Sequence, residues 1–255
     1  MKLPDAPPAS KEFKNAIGSD VPKEFALAAR KNIDNIEKMA ETPAEKEKLT
    51  KEALTRQYVV CVDKSGSMSF PDKAGRTRWM SARMAVEALI PVIFEYDADG
   101  SVPLYLFGSG VDFVGECTKP QQIAEVFDKF GPGGTTNLSA CLEEAMGTYL
   151  GTKRANYEVV PGTTFIVLLD GGADDPDAVK KILKKYADPK NGFVANHTQA
   201  AVSFVQIADD AGATKFLQDL DDMEPPETDI CDCKKDDILY EKGGIEKLLM
   251  NAIFD

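Results

Sequence analysis

One stretch near residue 60 constrains the fold of this chain more than any other. The apolar run at residues 59–62 (VVCV) leads into an oxygen-rich turn at residues 63–67 (DKSGS), and helical spacing follows. An apolar run of this kind is typical of a strand buried in a parallel sheet, and such sheets bind ligands beyond the carboxyl ends of their strands. Asp63, Ser65 and Ser67 are therefore predicted to lie at a ligand-binding edge.

The chemistry of these three side chains suggests a hard cation. They offer one carboxylate and two hydroxyls at alternate positions, with the small Gly66 between the serines. Mg²⁺ and Mn²⁺ prefer oxygen ligands in near-octahedral geometry. The same residue types also suit a loop that caps the next helix, so this stretch alone leaves both interpretations open.

Two later segments favour the cation interpretation. Residues 131–137 (GPGGTTN) form a glycine-rich turn before a helix that is predicted to begin at Leu138. A second apolar run, at residues 165–169, ends in Asp170 and two glycines. Three separate junctions between a buried element and a helix thus carry oxygen ligands.

In this combination the chain resembles the von Willebrand factor A (vWA) domain and its metal-ion-dependent adhesion site (MIDAS). That family carries Asp-x-Ser-x-Ser, then a threonine after a glycine-rich turn, then Asp-Gly at a later strand end. The resemblance covers about residues 57 to 254. The matching positions are Asp63, Ser65, Ser67, Thr135 and Asp170, with Thr136 as the alternative threonine. Gly172 departs from the acidic residue that many members carry there.

The resemblance implies a fold and a division of roles. The fold would be α/β and Rossmann-like, with a mostly parallel central sheet covered by helices on both faces. Ser65, Ser67 and Thr135 would contact a divalent cation directly, Mg²⁺ first and Mn²⁺ or Ca²⁺ as alternatives. Asp63 and Asp170 would hold metal-bound waters and orient the serines.

The implied function is metal-dependent protein–protein interaction without catalysis. A partner protein would supply an acidic residue that completes the metal shell, and the chain would serve as a subunit of a larger intracellular complex. Residues 204–210 (FVQIADD), 213–217 and 220–222 are similar to intracellular vWA proteins of the copine-like and tellurite-resistance-associated kinds. The alternative is a metal-dependent phosphohydrolase that uses the same site, although no histidine base lies near the motif.

Composition limits the other classes of function. The formal net charge is −12, which argues against a general affinity for nucleic acid or anionic membranes. No apolar run approaches the roughly 20 residues that span a bilayer, and the first residues lack the apolar region of a signal peptide. The five cysteines are irregularly spaced, with Cys61 and Cys141 on predicted core faces, as expected of reduced thiols in a cytoplasmic protein.

The chain is predicted to have three parts. Residues 1–20 are expected to form a flexible arm, residues 21–56 a helical N-terminal extension, and residues 57–255 the vWA-like domain. A helix should begin at Pro43, because Thr42-Pro43-Ala44-Glu45 has the capping-box spacing with proline at the first helical position.

Four other features receive a structural interpretation. Gly108-Ser109-Gly110 is predicted to be a hairpin turn rather than a dinucleotide loop, because a strand pattern follows it. The acidic residues 174, 175 and 177 are explained by capping of the next helix and by its dipole. Cys231 and Cys233 are predicted to lie in a late loop, since no further ligands complete a tetrahedral site, and His197 in a loop as well.

Overall fold

The computed structural model describes residues 42–151, 162–194, 199–223 and 229–254. The predicted arm, most of the predicted N-terminal extension and His197 lie outside these residues. The helices are α1 (Pro43–Leu54), α2 (Arg78–Tyr96), α3 (Pro120–Lys129), α4 (Leu138–Met146), α5 (Pro176–Ala187), α6 (Ala211–Asp221) and α7 (Gly244–Phe254). The strands are β1 (Gln57–Asp63), β2 (Val102–Phe107), β3 (Val111–Cys117), β4 (Thr163–Leu169), β5 (Ala200–Gln206) and β6 (Cys231–Lys235).

Within the described residues the strands form one six-stranded sheet in the order β3-β2-β1-β4-β5-β6. All neighbouring strands run parallel except β3, which pairs antiparallel with β2. The chain builds outward from β1 to β3 and then returns to the other side of β1 as β4. The order therefore reverses between β1 and β4, and in open α/β sheets such a switch point is where ligands bind.

Helices cover both faces of this sheet because its central strands are apolar on both sides. Val60 and Val62 of β1 face one core cluster, and Val59 and Cys61 face the other. Helices α1, α2, α3 and α7 pack on the first face, and α4, α5 and α6 pack on the second. Each fully buried aliphatic side chain of this kind contributes roughly 1.5–3 kcal/mol relative to exposure. The predicted Rossmann-like α/β fold is confirmed.

The predicted hairpin is also confirmed. Gly108, Ser109 and Gly110 form the turn between β2 and β3, and the Gly108 N–H donates to the Gly110 carbonyl at 2.9 Å. Pairing extends back to Val102, opposite Cys117. A helix does begin at Pro43, as the capping-box spacing predicted.

The prediction that Cys231 and Cys233 lie in a loop was wrong. Both lie in β6, which pairs in parallel with β5 and turns the two thiols towards the face covered by α6. The charged residues Asp232, Lys234 and Lys235 concealed the strand. Asp232 is fully buried, and the Lys234 ammonium contacts its carboxylate, so that the charge is compensated inside the sheet.

No helix among residues 42–151, 162–194, 199–223 and 229–254 combines the length and the apolar composition that a membrane crossing requires.

Candidate metal centre

Two buried carboxylates leave the sheet side by side at the switch point. β1 ends at Asp63, β4 ends immediately before Asp170, and the register pairs Val62 with Leu168. Because the two strands are parallel neighbours, Asp63 and Asp170 emerge at the same carboxyl edge. Both side chains are 0% exposed.

A chain of hydrogen bonds joins these two carboxylates through the serines. Asp63 Oδ1 accepts from the Ser65 backbone N–H at 2.6 Å, and the two serine Oγ atoms lie 3.0 Å apart. Ser67 Oγ then donates to Asp170 Oδ1 at 2.8 Å. A short 3₁₀ turn from Gly66 to Ser69 produces this arrangement, and the buried Met68 side chain anchors the turn in the core. Four of the five predicted site residues are thus brought together.

The fifth predicted residue, Thr135, lies on a loop that is bonded to the serine turn. The Gly66 N–H donates to the Gly134 carbonyl at 3.0 Å, and the Gly133 N–H donates to the Lys64 carbonyl at 2.7 Å. These two backbone bonds hold the glycine-rich loop against the turn that carries the serines. Thr135 itself is exposed, and the backbone contacts of Gly133 and Gly134 place its loop next to the serine turn.

Two further side chains, Ser109 and Asp174, form hydrogen bonds with the glycine-rich loop. Sequence analysis had assigned Asp174 a different role. Ser109 Oγ accepts from the Thr135 N–H at 3.0 Å, which ties the loop to the β2–β3 turn. Asp174 does not cap α5 as expected; its carboxylate accepts from the Thr136 N–H at 3.0 and 3.1 Å. Asp175 is the residue that caps α5. Asp174 therefore helps to position the threonine loop.

One oxygen of Asp63 has no partner although it is buried. Oδ2 is inaccessible to solvent and makes no hydrogen bond, whereas nearly all buried polar atoms in native proteins are paired. Burial raises the pKa of the Asp63 carboxyl to about 7, despite the opposing hydrogen bonds from Ser65. An ionised carboxylate in this position is costly unless a cation compensates it. Because a divalent cation would compensate this buried carboxylate, the residues present fit such an ion.

Hydroxyl oxygens would have to provide much of the coordination. In the part of the chain that the structure describes, no group of three His, Cys, Asp or Glu side chains converges as a metal site. The oxygen donors at this edge are two carboxylates and the neighbouring hydroxyls. Such a set suits a hard cation and does not suit a soft one.

Sequence analysis missed one residue of the centre, Arg78. Its Nη1 donates to Asp170 Oδ2 at 2.8 Å, and the arginine side chain is 17% exposed. Arg78 is the first residue of α2, the helix that follows the serine turn. The available sequence signal was a positively charged residue at the start of the helix that follows the Asp-x-Ser-x-Ser motif. That helix must begin near the carboxyl edge of β1, so its first side chains lie close to the centre.

Comparison with known proteins supports the fold. Residues 58–163 match the family model of the von Willebrand factor type A domain. That segment includes Asp63, Ser65, Ser67 and Thr135 and ends before Asp170. A search of curated proteins gave no match.

Solved structures agree at the level of the fold. A von Willebrand factor type A protein from Catenulispora acidiphila is similar over 78% of this chain and 42% of its own, with a TM-score of 0.51 and 13% identity. A mutant of the PilB minor pilin from Streptococcus sanguinis is similar over 77% of this chain and 60% of its own, with a TM-score of 0.50 and 10% identity. The chain thus spans less than two thirds of either protein. The vWA fold is confirmed, whereas the metal site and the copine-like subfamily stay predictions.

We expect Gly134→Ala to destabilise the glycine-rich loop that carries Thr135. Gly134 has a φ of +84°, and an added Cβ would lie 2.3 Å from Ser109 Oγ. The substitution should lower the free energy of unfolding by about 1–3 kcal/mol, because it forces a left-handed backbone and a clash. Gly133→Ala is the matched control, since a Cβ there has open space. Chemical denaturation measures both; equal stability of the two variants would contradict this description of the loop.

We expect Asp63 to make metal-free stability depend on pH. Its folded pKa of about 7 lies above the ordinary value of 3.8, so the folded state holds the proton more tightly. The stabilisation that protonated Asp63 contributes is therefore fully present at pH values below 3.8, and it is lost as the pH rises towards about 7. In chelator, stability relative to Asp63→Asn should fall by roughly 2–4 kcal/mol over this range.

The wild-type protein and Asp63→Asn also test cation binding. Excess Mg²⁺ should restore the stability of the wild-type protein at alkaline pH and leave Asp63→Asn unchanged, because the variant lacks the charge that a cation compensates. Thermal melting in chelator and in Mg²⁺ measures both effects. A rise in melting temperature of equal size in the two proteins would mean that Mg²⁺ binds elsewhere.

Proposed function

We propose that this chain is a metal-dependent protein-binding module in an intracellular assembly. In this proposal Asp63, Ser65, Ser67, Thr135 and Asp170 hold a divalent cation, most simply Mg²⁺, in a MIDAS-type site. The observation that carries the proposal is the buried Oδ2 atom of Asp63, which lacks a hydrogen-bond partner beside two serine hydroxyls. Domains of the von Willebrand factor A type generally act as protein-interaction modules, which supports the same function.

The charges at the centre favour an acidic partner. Asp170 already accepts from Ser67 and Arg78, so its negative charge is compensated within the protein. Asp63 is then the one predicted ligand that offers an uncompensated charge, and the serine and threonine hydroxyls are neutral. A divalent cation held by this set keeps net positive charge and supplies a Lewis-acidic position for one carboxylate oxygen of the partner.

The position of the centre also suits binding to a protein. The serine turn lies at an edge where the backbone leaves the sheet, and the loop that carries Thr135 is exposed there. Ser67 is half-buried, whereas Asp63, Ser65 and Asp170 lie beneath the surface. A side chain from a partner can therefore approach from the side of Ser67 and Thr135, with the carboxylates behind them.

One observation favours the phosphohydrolase alternative. A carboxyl whose pKa lies near 7 has the proton affinity of an efficient general base. Its geometry argues against that role, since Asp63 is 0% exposed and its Oδ1 already accepts from Ser65. In the proposed site both motif carboxylates are committed, Asp63 to orienting the metal shell and Asp170 to Ser67 and Arg78, so neither is left as the base that activates a water for attack on a substrate.

We therefore expect no hydrolysis that depends on the centre. p-Nitrophenyl phosphate and nucleoside triphosphates, each with Mg²⁺ or Mn²⁺, are suitable substrates for a release assay. Wild-type protein and Asp63→Ala should give the same background rate. Turnover by the wild-type protein that disappears in Asp63→Ala would favour the hydrolase.

Partner capture is the direct test of the binding function. Immobilised full-length chain would be exposed to lysate of its own cells in Mg²⁺ or in chelator, and the retained proteins quantified by mass spectrometry. Partners should be retained in Mg²⁺, lost in chelator, and retained roughly tenfold less by Thr135→Ala, because the substitution removes one of the three hydroxyls that would contact the cation directly.

Thr136→Ala is the matched control for this experiment. Thr136 is the neighbouring threonine of the same loop, and its backbone N–H, which the substitution keeps, is the group bound by Asp174. Retention should therefore stay at the wild-type level in this variant. Reversed results for the two threonines would assign the ligand to Thr136. Full retention in chelator would mean that partners dock away from the centre.

A further inference from the structure

The Asp170 carboxylate is engaged at both oxygens by groups of the protein itself. Ser67 Oγ donates to Oδ1 at 2.8 Å, and Arg78 Nη1 donates to Oδ2 at 2.8 Å. Asp170 is 0% exposed, so these interactions form in a poorly hydrated environment, where charge-assisted hydrogen bonds are strong. Asp63 differs, because one of its oxygens has no partner. The Asp170 carboxylate is therefore saturated by partners within the protein, whereas the Asp63 carboxylate has one oxygen left for a ligand.

The position of Arg78 does not depend on Asp170 alone. Its backbone N–H donates to the Phe70 carbonyl at 2.9 Å, and the side chain of the preceding residue, Thr77, caps α2. The Arg78 guanidinium also lies over the Phe70 ring, with 5.9 Å between its carbon and the ring centroid. Such cation–π contacts add to the fixation of an arginine. The guanidinium is thus held at the centre by the helix start and by an aromatic ring.

Building on the proposed function, we propose that Arg78 is a positioning residue that keeps Asp170 out of direct contact with the bound cation. The guanidinium occupies the Asp170 oxygen that Ser67 leaves open. It also compensates the negative charge of Asp170, which would otherwise strengthen cation binding. Arg78 thereby lowers the affinity for the metal and preserves the positive charge that a partner carboxylate needs.

This role has a consequence that simple structural support would not have. Removal of a structural arginine should weaken every property of the centre. Removal of this arginine should tighten metal binding, because a nearby positive charge disappears and a carboxylate becomes free to coordinate. At separations of several Å, one unit charge next to a divalent cation changes its affinity by about tenfold or more.

The test uses full-length protein and Mn²⁺ as the probe. Calorimetric titration gives the dissociation constant, and water-proton relaxation by bound Mn²⁺ gives the number of coordinated waters. Arg78→Met keeps a long side chain over Phe70 and removes both the charge and the donor. We expect the dissociation constant to fall about tenfold and one coordinated water to be replaced by Asp170.

Arg76→Met is the matched control on the same segment. Arg76 is an exposed arginine whose guanidinium pairs with Asp72 at 3.0 Å and contacts the Met84 sulfur, not Asp170. Its replacement should leave both the affinity and the water count at wild-type values. Tightening of equal size in the two variants would indicate a general charge effect and would overturn the assignment to Arg78.

Arg78→Met leaves the buried Asp170 carboxylate with one hydrogen-bond partner fewer, which can destabilise the fold. A second comparison therefore uses proteins in which this carboxylate is replaced. Asp170→Asn alone leaves the Arg78 charge uncompensated and should weaken Mn²⁺ binding. Asp170→Asn combined with Arg78→Met removes both charges and should bind about tenfold more tightly than Asp170→Asn. A double variant that binds no more tightly than the single variant would overturn the proposal, as would an unchanged or weakened affinity in folded Arg78→Met.

The outcomes separate this inference from the function on which it rests. If the wild-type protein binds no Mn²⁺, the proposed function and the role of Arg78 both fail. If the wild-type protein binds Mn²⁺, Asp63→Asn does not, and Arg78→Met matches the wild type, the role of Arg78 fails and the metal centre stands.

Discussion

The parallel pairing of β1 with β4 is the constraint on which the centre depends. These strands meet where the order of the sheet reverses, and each delivers a carboxylate, Asp63 and Asp170, to the same edge. Both strands are buried on both faces, so their ends are fixed by the two apolar cores and not by the loops. The serine turn and the glycine-rich loop then need only short backbone contacts to complete the set of oxygens. A rigid sheet edge with short, bonded loops is the kind of scaffold that holds ligands accurately.

The two carboxylates of the candidate site are compensated to different extents. Asp170 is compensated by Ser67 and Arg78, whereas Asp63 keeps an unpartnered oxygen in a place that water does not reach. Burial, with a smaller contribution from the negative charge of Asp170, disfavours the charged form of Asp63, which is why its pKa rises to about 7. A side chain selected for stability alone would not carry this cost. The combination of burial, perturbed pKa and position at a switch point makes Asp63 a candidate functional group.

Much of this arrangement could be predicted from the sequence. The apolar runs that end in Asp63 and Asp170 are strong patterns, and the parallel fold follows from their alternation with helices. The thiols of β6 were harder to place, because Asp232 looks like a loop residue until Lys234 is known to compensate it inside the sheet. Arg78 was missed and Asp174 was misassigned for a related reason. Their roles arise from contacts between segments distant in sequence, with Asp170 and Thr136, and local spacing carries no record of such contacts.

The central claim is that the unpartnered oxygen of Asp63 marks the position of a cation. A crystal of the full-length chain grown with Mn²⁺, with diffraction recorded above and below the manganese absorption edge, tests it most directly. The account predicts one strong anomalous peak within coordination distance of the Ser65 and Ser67 hydroxyls, with the Asp63 carboxylate directed towards it, directly or through a bound water. An anomalous peak only at other carboxylates, with Asp63 Oδ2 still unpartnered, would contradict it.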